Sequence, residues 1–200
     1  MITMIDYGIG NLRSVQKALE FVGAEVALTA AADDVLRAEK LVLPGVGAFR
    51  AGMDALAQRG LIDPLRKAAA SGTPVLGICL GLQLLFESSA EMGVHQGLGL
   101  LSGRVVRFAG DGLKVPHMGW NQIEHNGQHP LLQDVPSGAH AYFVHSYYCE
   151  PADARTTLAE TEYGLRFPAL AGRDNVVGIQ FHPEKSQYVG LQILKNFVNW

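Results

Sequence analysis

A cysteine framed by glycines is the strongest chemical signal in the sequence, because Gly77-Ile78-Cys79-Leu80-Gly81 joins an apolar strand pattern to a helix pattern. A sharp strand-to-helix turn of this form holds its middle residue in a strained conformation, with the side chain above the sheet. The N-terminus of the following helix stabilises a thiolate and offers free backbone N–H groups, including that of Leu80, to an oxyanion. Cys79 is therefore the candidate nucleophile. A buried core position is the alternative for Cys79 and the preferred interpretation of Cys149.

A base for this thiol is predicted in Phe181-His182-Pro183-Glu184, which ends the apolar run of residues 176–181. His182 thus lies at the end of a strand, where the active sites of parallel α/β sheets collect. Residues two apart in extended chain face the same way, so Glu184 can reach the far nitrogen of the His182 ring. A carboxylate there selects the tautomer and stabilises the imidazolium. A surface turn would explain His-Pro-Glu alone, but together with the framed cysteine it predicts a Cys79–His182–Glu184 triad.

A second oxyanion donor is expected from Leu43-Pro44-Gly45-Val46-Gly47-Ala48, which ends a strand and begins a helix. Two glycines at a strand end bring bare backbone N–H groups close to a substrate. An ordinary loop before a helix is the competing interpretation. A dinucleotide site is weakly suggested by Gly8-Ile9-Gly10 after the first strand. However, the third glycine position holds Arg13, and no ribose-binding acid follows the second strand.

Composition excludes several other kinds of function. The 200 residues are 48% hydrophobic and 18% charged, with a formal net charge of −3, which predicts a folded core and disfavours a nucleic-acid partner. No apolar stretch is long enough to span a membrane, and the N-terminus lacks a secretory pattern, so a cytoplasmic protein with reduced thiols is expected. No pair of histidines has metal-ligand spacing, so no metal or other cofactor is predicted. His117 and His145 lie in patterned segments and are expected to be structural or at an interface.

The elements that must position these residues alternate between strand and helix in the first half of the chain. Buried strands are predicted at residues 1–6, 25–29, 40–43 and 74–78, and helices at residues 11–22, 48–59, 61–70 and 80–87. This rhythm indicates an α/β fold with a mostly parallel central sheet flanked by helices. The second half changes character and predicts additional antiparallel strands, whose order the sequence does not determine. Those strands are expected at residues 104–108, 120–124, 141–150, 156–163 and 176–181, followed by a helix at residues 187–200.

The motifs together resemble the class I (triad-type) glutamine amidotransferases. Gly77-Ile78-Cys79-Leu80-Gly81-Leu82-Gln83 and Phe181-His182-Pro183-Glu184 are similar to the signatures of that class. Within the class, three further segments resemble the glutaminase subunits of imidazole glycerol phosphate synthase. These segments are Ile5-Asp6-Tyr7-Gly8-Ile9-Gly10-Asn11-Leu12, Pro44-Gly45-Val46-Gly47 and Pro116-His117-Met118-Gly119-Trp120-Asn121. The resemblance covers the chain from its first strand to its last helix and implies a single amidotransferase domain over residues 1–200.

This resemblance implies that Cys79 attacks the side-chain amide of glutamine and that His182 first activates the thiol and then protonates the departing ammonia. Water then hydrolyses the glutamyl thioester. In relatives the Pro-Gly-Val-Gly loop supplies an oxyanion N–H after a peptide reorients, so Val46 and Gly47 would form a switch. The residues similar to the glutamine-holding positions of the family are Gly47, Gln83, Glu91, Ser146 and Tyr147.

The resemblance also implies a partner, a (β/α)8-barrel cyclase that uses the ammonia and forms a heterodimer with this chain. Asn11, Trp120, Tyr142 and Lys185 match interface positions of the family. Because bulk water would protonate free ammonia, a sealed route between the two sites is expected. Glutaminase activity should then stay low until the partner and its ligand are bound.

Three other functions remain open from the sequence. The chain could be a class I amidotransferase that serves another acceptor, which the His-Met-Gly-Trp segment disfavours. It could be a free-standing cysteine hydrolase, which would be active without a partner. It could also be a non-catalytic assembly module, against which the intact Cys79, His182 and Glu184 argue.

Overall fold

The computed structural model describes residues 1–109 and 112–200. The strands are β1 (Ile2–Ile5), β2 (Val26–Thr29), β3 (Leu41–Gly45), β4 (Val75–Cys79), β5 (Phe86–Ser89), β6 (His95–Gln96), β7 (Leu101–Arg107), β8 (His117–Ile123), β9 (Ala139–His145), β10 (Tyr147–Pro151), β11 (Thr157–Glu162), β12 (Arg166–Arg173) and β13 (Val176–Ile179). The helices are α1 (Leu12–Phe21), α2 (Ala32–Arg37), α3 (Phe49–Gln58), α4 (Ile62–Ala70), α5 (Leu80–Leu85) and α6 (Gln187–Asn199), with 3-10 turns at Pro130–Leu132, Ala154–Thr156 and Pro183–Lys185.

The central sheet has seven strands in the order β11-β12-β13-β4-β3-β1-β2. The five strands from β13 to β2 run parallel, whereas β12 and β11 continue the sheet antiparallel at one edge. This arrangement confirms the predicted α/β fold with a mostly parallel centre and antiparallel strands from the second half. β4 lies between β3 and β13, so the carboxyl ends of these three neighbouring strands meet at one edge of the sheet.

Alternate residues along the central strands enter two separate hydrophobic cores. Leu76 and Ile78 of β4 belong to one core, together with side chains of α1 and α6, while Val75 belongs to the other, with side chains of α3 and α4. Successive side chains of a strand point to opposite faces, so the sheet is buried on both sides. That double burial explains why β1, β3 and β4 are almost free of polar side chains.

The predicted helix at residues 80–87 is wrong at its end. α5 stops at Leu85, and Phe86–Ser89 forms β5, which pairs with β6 and β7 in a separate four-stranded sheet of order β10-β7-β5-β6. The mostly apolar segment Leu82–Phe86 fits a helix locally, but Phe86 pairs with Leu101 instead. Tertiary pairing therefore overrides helix propensity at this point.

The predicted strand at residues 141–150 is divided in two. β9 ends at His145 and pairs with β8 in a two-stranded ribbon, while β10 begins at Tyr147 and pairs with β7. Ser146 lies at the break between the two sheets. The short helix α2 and the strands β5, β6 and β12 were not predicted. β12 contains Pro168, which argues against an interior strand from sequence, but Pro168 lies beyond the stretch of β12 that pairs with β13.

In the part of the chain that the structure describes, no helix has both the length and the apolar character that crossing a bilayer would require.

Candidate active site

The nucleophile candidate lies at the junction of β4 and α5. Cys79 has φ 54° and ψ −109°, a backbone conformation that L residues rarely adopt. This is the strained turn that the sequence predicts, although the helix that follows has only six residues. An anion at Cys79 is therefore stabilised by the first free N–H groups of α5 rather than by a long helix dipole.

Three glycines make this turn possible by allowing backbones to touch. A Cβ at Gly77 would lie 2.6 Å from the carbonyl carbon of Gly81, and a Cβ at Gly81 would collide with the carbonyl oxygen of Leu43. On the neighbouring strand, a Cβ at Gly178 would lie 2.5 Å from Leu82 Cδ1. α5 is therefore packed against β3, β4 and β13 at a distance that no side chain at these positions permits.

The base candidate is held by a buried carboxylate. His182 follows β13, and its Nδ1 lies 2.9 Å from Oε1 of Glu184, whose side chain is 1% exposed. Burial acts to lower the pKa of His182, but hydrogen bonds to Cys79 and Glu184 and the charges of both groups raise it from 6.5 to about 10. A protonated imidazole beside a cysteine favours the reactive thiolate form of the sulfur. The geometry thus brings Cys79, His182 and Glu184 together in the predicted order.

The backbone of His182 is linked to β9 by hydrogen bonds through both its N–H and its carbonyl group. His182 N–H donates to the Tyr142 carbonyl at 2.9 Å. The hydroxyl of Ser186 donates to the His182 carbonyl at 2.7 Å and accepts from Tyr142 N–H at 2.9 Å. Ser186 is fully buried, and sequence reasoning missed it, although it directly follows the His-Pro-Glu-Lys segment. It joins the base to the β8–β9 ribbon.

One cavity of about 380 Å³ collects nearly all of the predicted site residues. It is lined by Val46, Gly47, Cys79, Leu80, Gln83, Glu91, Pro116, Val144, His145, Ser146, Tyr147 and His182. The structure therefore gathers the predicted nucleophile, base, oxyanion donors and glutamine-holding residues around a single space. Glu184 lies behind the His182 ring and does not line the cavity.

The candidate oxyanion loop is anchored at its two ends and open in the middle. At one end, the hydroxyl of Tyr7 donates to the Pro44 carbonyl at 2.8 Å, and burial together with nearby Cys79 raises the pKa of Tyr7. At the other end, the Glu91 carboxylate accepts from Phe49 N–H at 2.7 Å. Between them, Gly47 has φ 91°, and a Cβ there would meet nothing within 4 Å. Sequence reasoning missed Tyr7 as an anchor, although it belongs to the matching segment Ile5–Leu12.

Gln83 and the Ser146–Tyr147 segment form the far side of the cavity, and Gln83 is bonded to Gln180, which does not line it. Gln83 Nε2 donates to the Tyr147 carbonyl at 3.0 Å and to Gln180 Oε1 at 3.2 Å. The Ser146 carbonyl accepts from Phe108 N–H at 3.1 Å. The segment between β9 and β10 is thus held in place by bonds from several other elements.

Three of the four predicted interface residues form one surface. Trp120 on β8 and Tyr142 on β9 face each other with ring centroids 5.9 Å apart, and Lys185 Nζ lies 5.9 Å from the Tyr142 ring centroid. Trp120 and its neighbour Met118 are largely exposed. Asn11, the fourth residue, is exposed at the N-terminal end of α1. The interface role of these four residues stays a prediction.

The fold and the site together define a class of protein, and almost the whole chain matches the family of that class. The family description "Glutamine amidotransferase class-I" matches residues 3–200, and the chain belongs to that family. Two solved structures share the fold at 20% identity and a TM-score of 0.78. One is a glutamine amidotransferase, with complete coverage of both chains, and the other is PurLQS from Thermotoga maritima, with 99% of this chain and 97% of that chain covered.

Relatives that are much more similar in sequence than these two structures share one protein name. The chain is 57% identical to "Imidazole glycerol phosphate synthase subunit HisH" of Syntrophotalea carbinolica over 203 residues, with 98% of each chain covered. It is 53% identical to the protein of the same name from Geobacillus thermodenitrificans, with 99% of this chain and 95% of that protein covered. The matched region extends over both halves of the chain.

Proposed function

We propose that this chain is the glutaminase subunit of an imidazole glycerol phosphate synthase. It hydrolyses glutamine to glutamate and ammonia and passes the ammonia to a cyclase subunit in histidine biosynthesis. The observation that carries this proposal is the placement of Cys79 and His182 at one cavity, with Glu184 bonded to the His182 ring, in a chain more than half identical to proteins of that name. A single amidotransferase domain over residues 1–200 and a cytoplasmic site of action belong to the same proposal.

The chemistry begins with the sulfur of Cys79, which attacks the carboxamide carbon of glutamine while His182 holds the thiol proton. The oxyanion that forms is stabilised by the N–H of Leu80 and by an N–H of the Val46–Gly47 segment. His182 then gives its proton to the nitrogen, the carbon–nitrogen bond breaks, and ammonia leaves. Water, deprotonated by His182, hydrolyses the thioester and regenerates the thiol with glutamate as product.

Gln83, Glu91, Gly47, Ser146 and Tyr147 hold the glutamine in this proposal. Gln83, Glu91 and the β9–β10 segment are each fixed by hydrogen bonds at a different part of the cavity, which supports a fixed pocket for a small polar substrate. The open middle of the Val46–Gly47 loop supports a switch there. Partner binding would favour the conformation in which this loop donates to the oxyanion.

The proposed partner is a (β/α)8-barrel cyclase that docks on the surface formed by Asn11, Trp120, Tyr142 and Lys185. It would use the ammonia on a phosphoribulosyl-formimino aminoimidazole carboxamide ribonucleotide. The products of that reaction are imidazole glycerol phosphate and an aminoimidazole carboxamide ribonucleotide. The exposure of Trp120 and Met118 on one face supports an interaction surface at this position.

The decisive experiment compares Cys79→Ala with Cys149→Ala in the complex with the cyclase. We expect Cys79→Ala to lower glutamine-dependent synthesis by a factor of about 10⁴ or more while ammonia-dependent synthesis continues. Cys149 is fully buried in β10, away from the cavity lining, so its variant serves as the matched control with near-normal synthesis from glutamine. Glutamine-dependent turnover by Cys79→Ala would remove this residue from the mechanism.

A second assay separates the proposed function from its rivals. Glutaminase rates of the wild-type chain should rise steeply when the cyclase and its nucleotide are added. Equal rates with and without the cyclase would indicate a free-standing hydrolase. No hydrolysis under any condition would indicate an assembly module, and stimulation by the partner of another amidotransferase would indicate a different acceptor.

A further inference from the structure

Two buried histidines beside the cavity have no part in the triad chemistry. His145 ends β9 and lines the cavity, and His117 begins β8 directly opposite it. His145 Nδ1 lies 2.8 Å from the Tyr147 carbonyl oxygen, and its Nε2 lies 3.1 Å from His117 Nδ1. On the far side, His117 Nε2 lies 3.3 Å from Asn121 Nδ2. The four groups form a continuous chain of contacts between hydrogen-bonding atoms.

The orientation of the Asn121 amide fixes one end of this chain. Its nitrogen lies 2.8 Å from the Glu162 carbonyl oxygen, which can only accept. Its oxygen lies 2.8 Å from the N–H of Gln122, which can only donate. Asn121 therefore presents a donor to His117, and the Tyr147 carbonyl presents an acceptor to His145.

Between a fixed donor and a fixed acceptor, the protons on the two imidazole rings can be placed in only one way. His145 must carry its proton on Nδ1 to donate to Tyr147, so its Nε2 accepts. His117 must then also carry its proton on Nδ1, and its Nε2 accepts from Asn121. A second proton on either ring would set a donor against a donor. Burial, which lowers the pKa of His117 to about 4 and that of His145 to about 3, agrees with two neutral rings.

Aromatic rings packed against His117 hold this chain of hydrogen bonds in place. His117 stacks on Phe143 with centroids 4.9 Å apart and on Tyr163 at 4.2 Å. The same Tyr147 carbonyl also receives the hydrogen bond from Gln83, so donors from two different elements hold it. Since a carbonyl oxygen has two lone pairs, its hydrogen-bonding capacity is fully used, and the peptide that follows Tyr147 is fixed in orientation.

We propose that His117 and His145 are positioning residues for glutamine, which hold the Ser146–Tyr147 segment through a one-directional hydrogen-bond chain that starts at Asn121. This inference rests on the proposed function, in which that segment holds the substrate. It also explains the two faces of β8. Residues 117 and 121 turn inward and carry the chain, while Met118 and Trp120 turn outward and are exposed. The strand predicted to contact the partner is therefore linked to the substrate segment through the His145 ring.

Steady-state kinetics of the complex with the cyclase subunit test the positioning role. In His145→Gln the amide replaces the Nε2 side of the ring and loses the donor to Tyr147, so KM for glutamine should rise roughly tenfold with kcat changed less than about threefold. His145→Asn places an amide nitrogen at the position of Nδ1 and should restore KM to within about twofold of wild type, because the donor is kept. A KM for His145→Gln equal to that of the wild type would overturn the inference.

Nitrogen NMR of the wild-type chain, with ¹⁵N-labelled histidine, provides a readout that does not depend on activity. Both His117 and His145 should be neutral at pH 7 with the proton on Nδ1. An Nε2–H tautomer or a charged ring at either position would contradict the chain, even if His145→Gln did not fold. If the wild-type complex failed to hydrolyse glutamine, the proposed function would fail while the NMR result still decided the hydrogen-bond chain.

Discussion

The two sides of the cavity are built by different physical means. On the nucleophile side, Cys79 is positioned by backbones in direct contact, and glycines at 77, 81 and 178 leave no space for even one methyl group. On the opposite side, His182 and the Ser146–Tyr147 segment are positioned by hydrogen bonds from buried side chains such as Glu184, Ser186 and Gln83. The sulfur is therefore held by steric contact, while the base and the substrate segment are held by bonds that can be removed singly.

The Val46–Gly47 loop between these two sides is hydrogen-bonded only at its ends, through Pro44 and Phe49, and its middle is not packed. Val46 is 40% exposed, and the space around Gly47 is open. A crowded backbone has one arrangement, whereas an open loop with an anchor at each end can exchange between two. This difference indicates where a partner could regulate the site without disturbing the nucleophile. It also predicts very unequal responses to small substitutions on the two sides.

The largest effect is expected from Gly81→Ala. The new methyl group would collide with the Leu43 carbonyl oxygen, which is backbone and cannot move without displacing β3. We expect a loss of more than about 4 kcal/mol in the free energy of unfolding, or no folded protein at all. Urea denaturation followed by circular dichroism measures it. A midpoint equal to that of the wild type would disprove steric positioning of the turn.

Glu184→Gln should keep the fold and remove most of the activity. The amide can no longer stabilise the imidazolium of His182 and can select the wrong tautomer, so kcat for glutamine hydrolysis should fall by roughly 10³-fold or more. Glu162→Gln is the matched control, because Glu162 carries an exposed carboxylate on β11. Comparable kcat values in the two variants would remove Glu184 from the triad.

The same variant should change how stability depends on pH. Contacts with Cys79 and Glu184 raise the pKa of His182 in the folded protein from 6.5 to about 10, so the stability from these contacts is fully present below about pH 6.5 and is lost as the pH rises towards 10; Glu184→Gln removes the Glu184 part of it. The difference in unfolding free energy between wild type and Glu184→Gln should therefore shrink over that interval. Urea denaturation at several pH values measures it, and a difference that grew with pH would contradict the assignment.

A smaller effect is expected from Ser186→Ala. Removing the hydroxyl leaves the half-buried Tyr142 N–H without its acceptor, which costs about 1–3 kcal/mol of stability. Because the same hydroxyl holds the His182 carbonyl, kcat should also fall several-fold. Ser137→Ala is the control, since it removes a hydrogen bond of the same type, to His125 N–H, at an exposed position. Equal loss of stability in both variants would show that burial of the Ser186 contacts is unimportant.

The smallest change in stability is expected from Gly47→Ala. A Cβ there meets no atom within 4 Å, so the cost is limited to the positive φ of 91° and amounts to about 1–2 kcal/mol. The variant should remain folded where Gly81→Ala does not, and thermal denaturation of the two side by side measures the contrast. Unfolding of Gly47→Ala at room temperature would mean that the loop is as constrained as the turn.

The parallel half of the fold could be predicted because its constraints are local. Strands buried on both faces show as short apolar runs, and the glycines around Cys79 and in the oxyanion loop mark close backbone approaches directly in the sequence. The second half departed further from prediction. The change of sheet at Ser146 and the early end of α5 depend on pairing with β7, which is distant along the chain, whereas β12 pairs with its sequence neighbours β11 and β13.

The amino-acid sequence by itself determined the fold class and the family, and it predicted the three triad residues that the structure brings together, because short motifs encode the strand-to-helix turn and the His-Pro-Glu geometry. Tertiary structure alone decided that Tyr7 anchors Pro44, that Ser186 joins His182 to β9, and that His117 and His145 form a polarised chain to Tyr147. The physical reason is that a hydrogen bond between distant segments requires two groups at a defined distance and angle. No periodicity or spacing within one segment records that geometry.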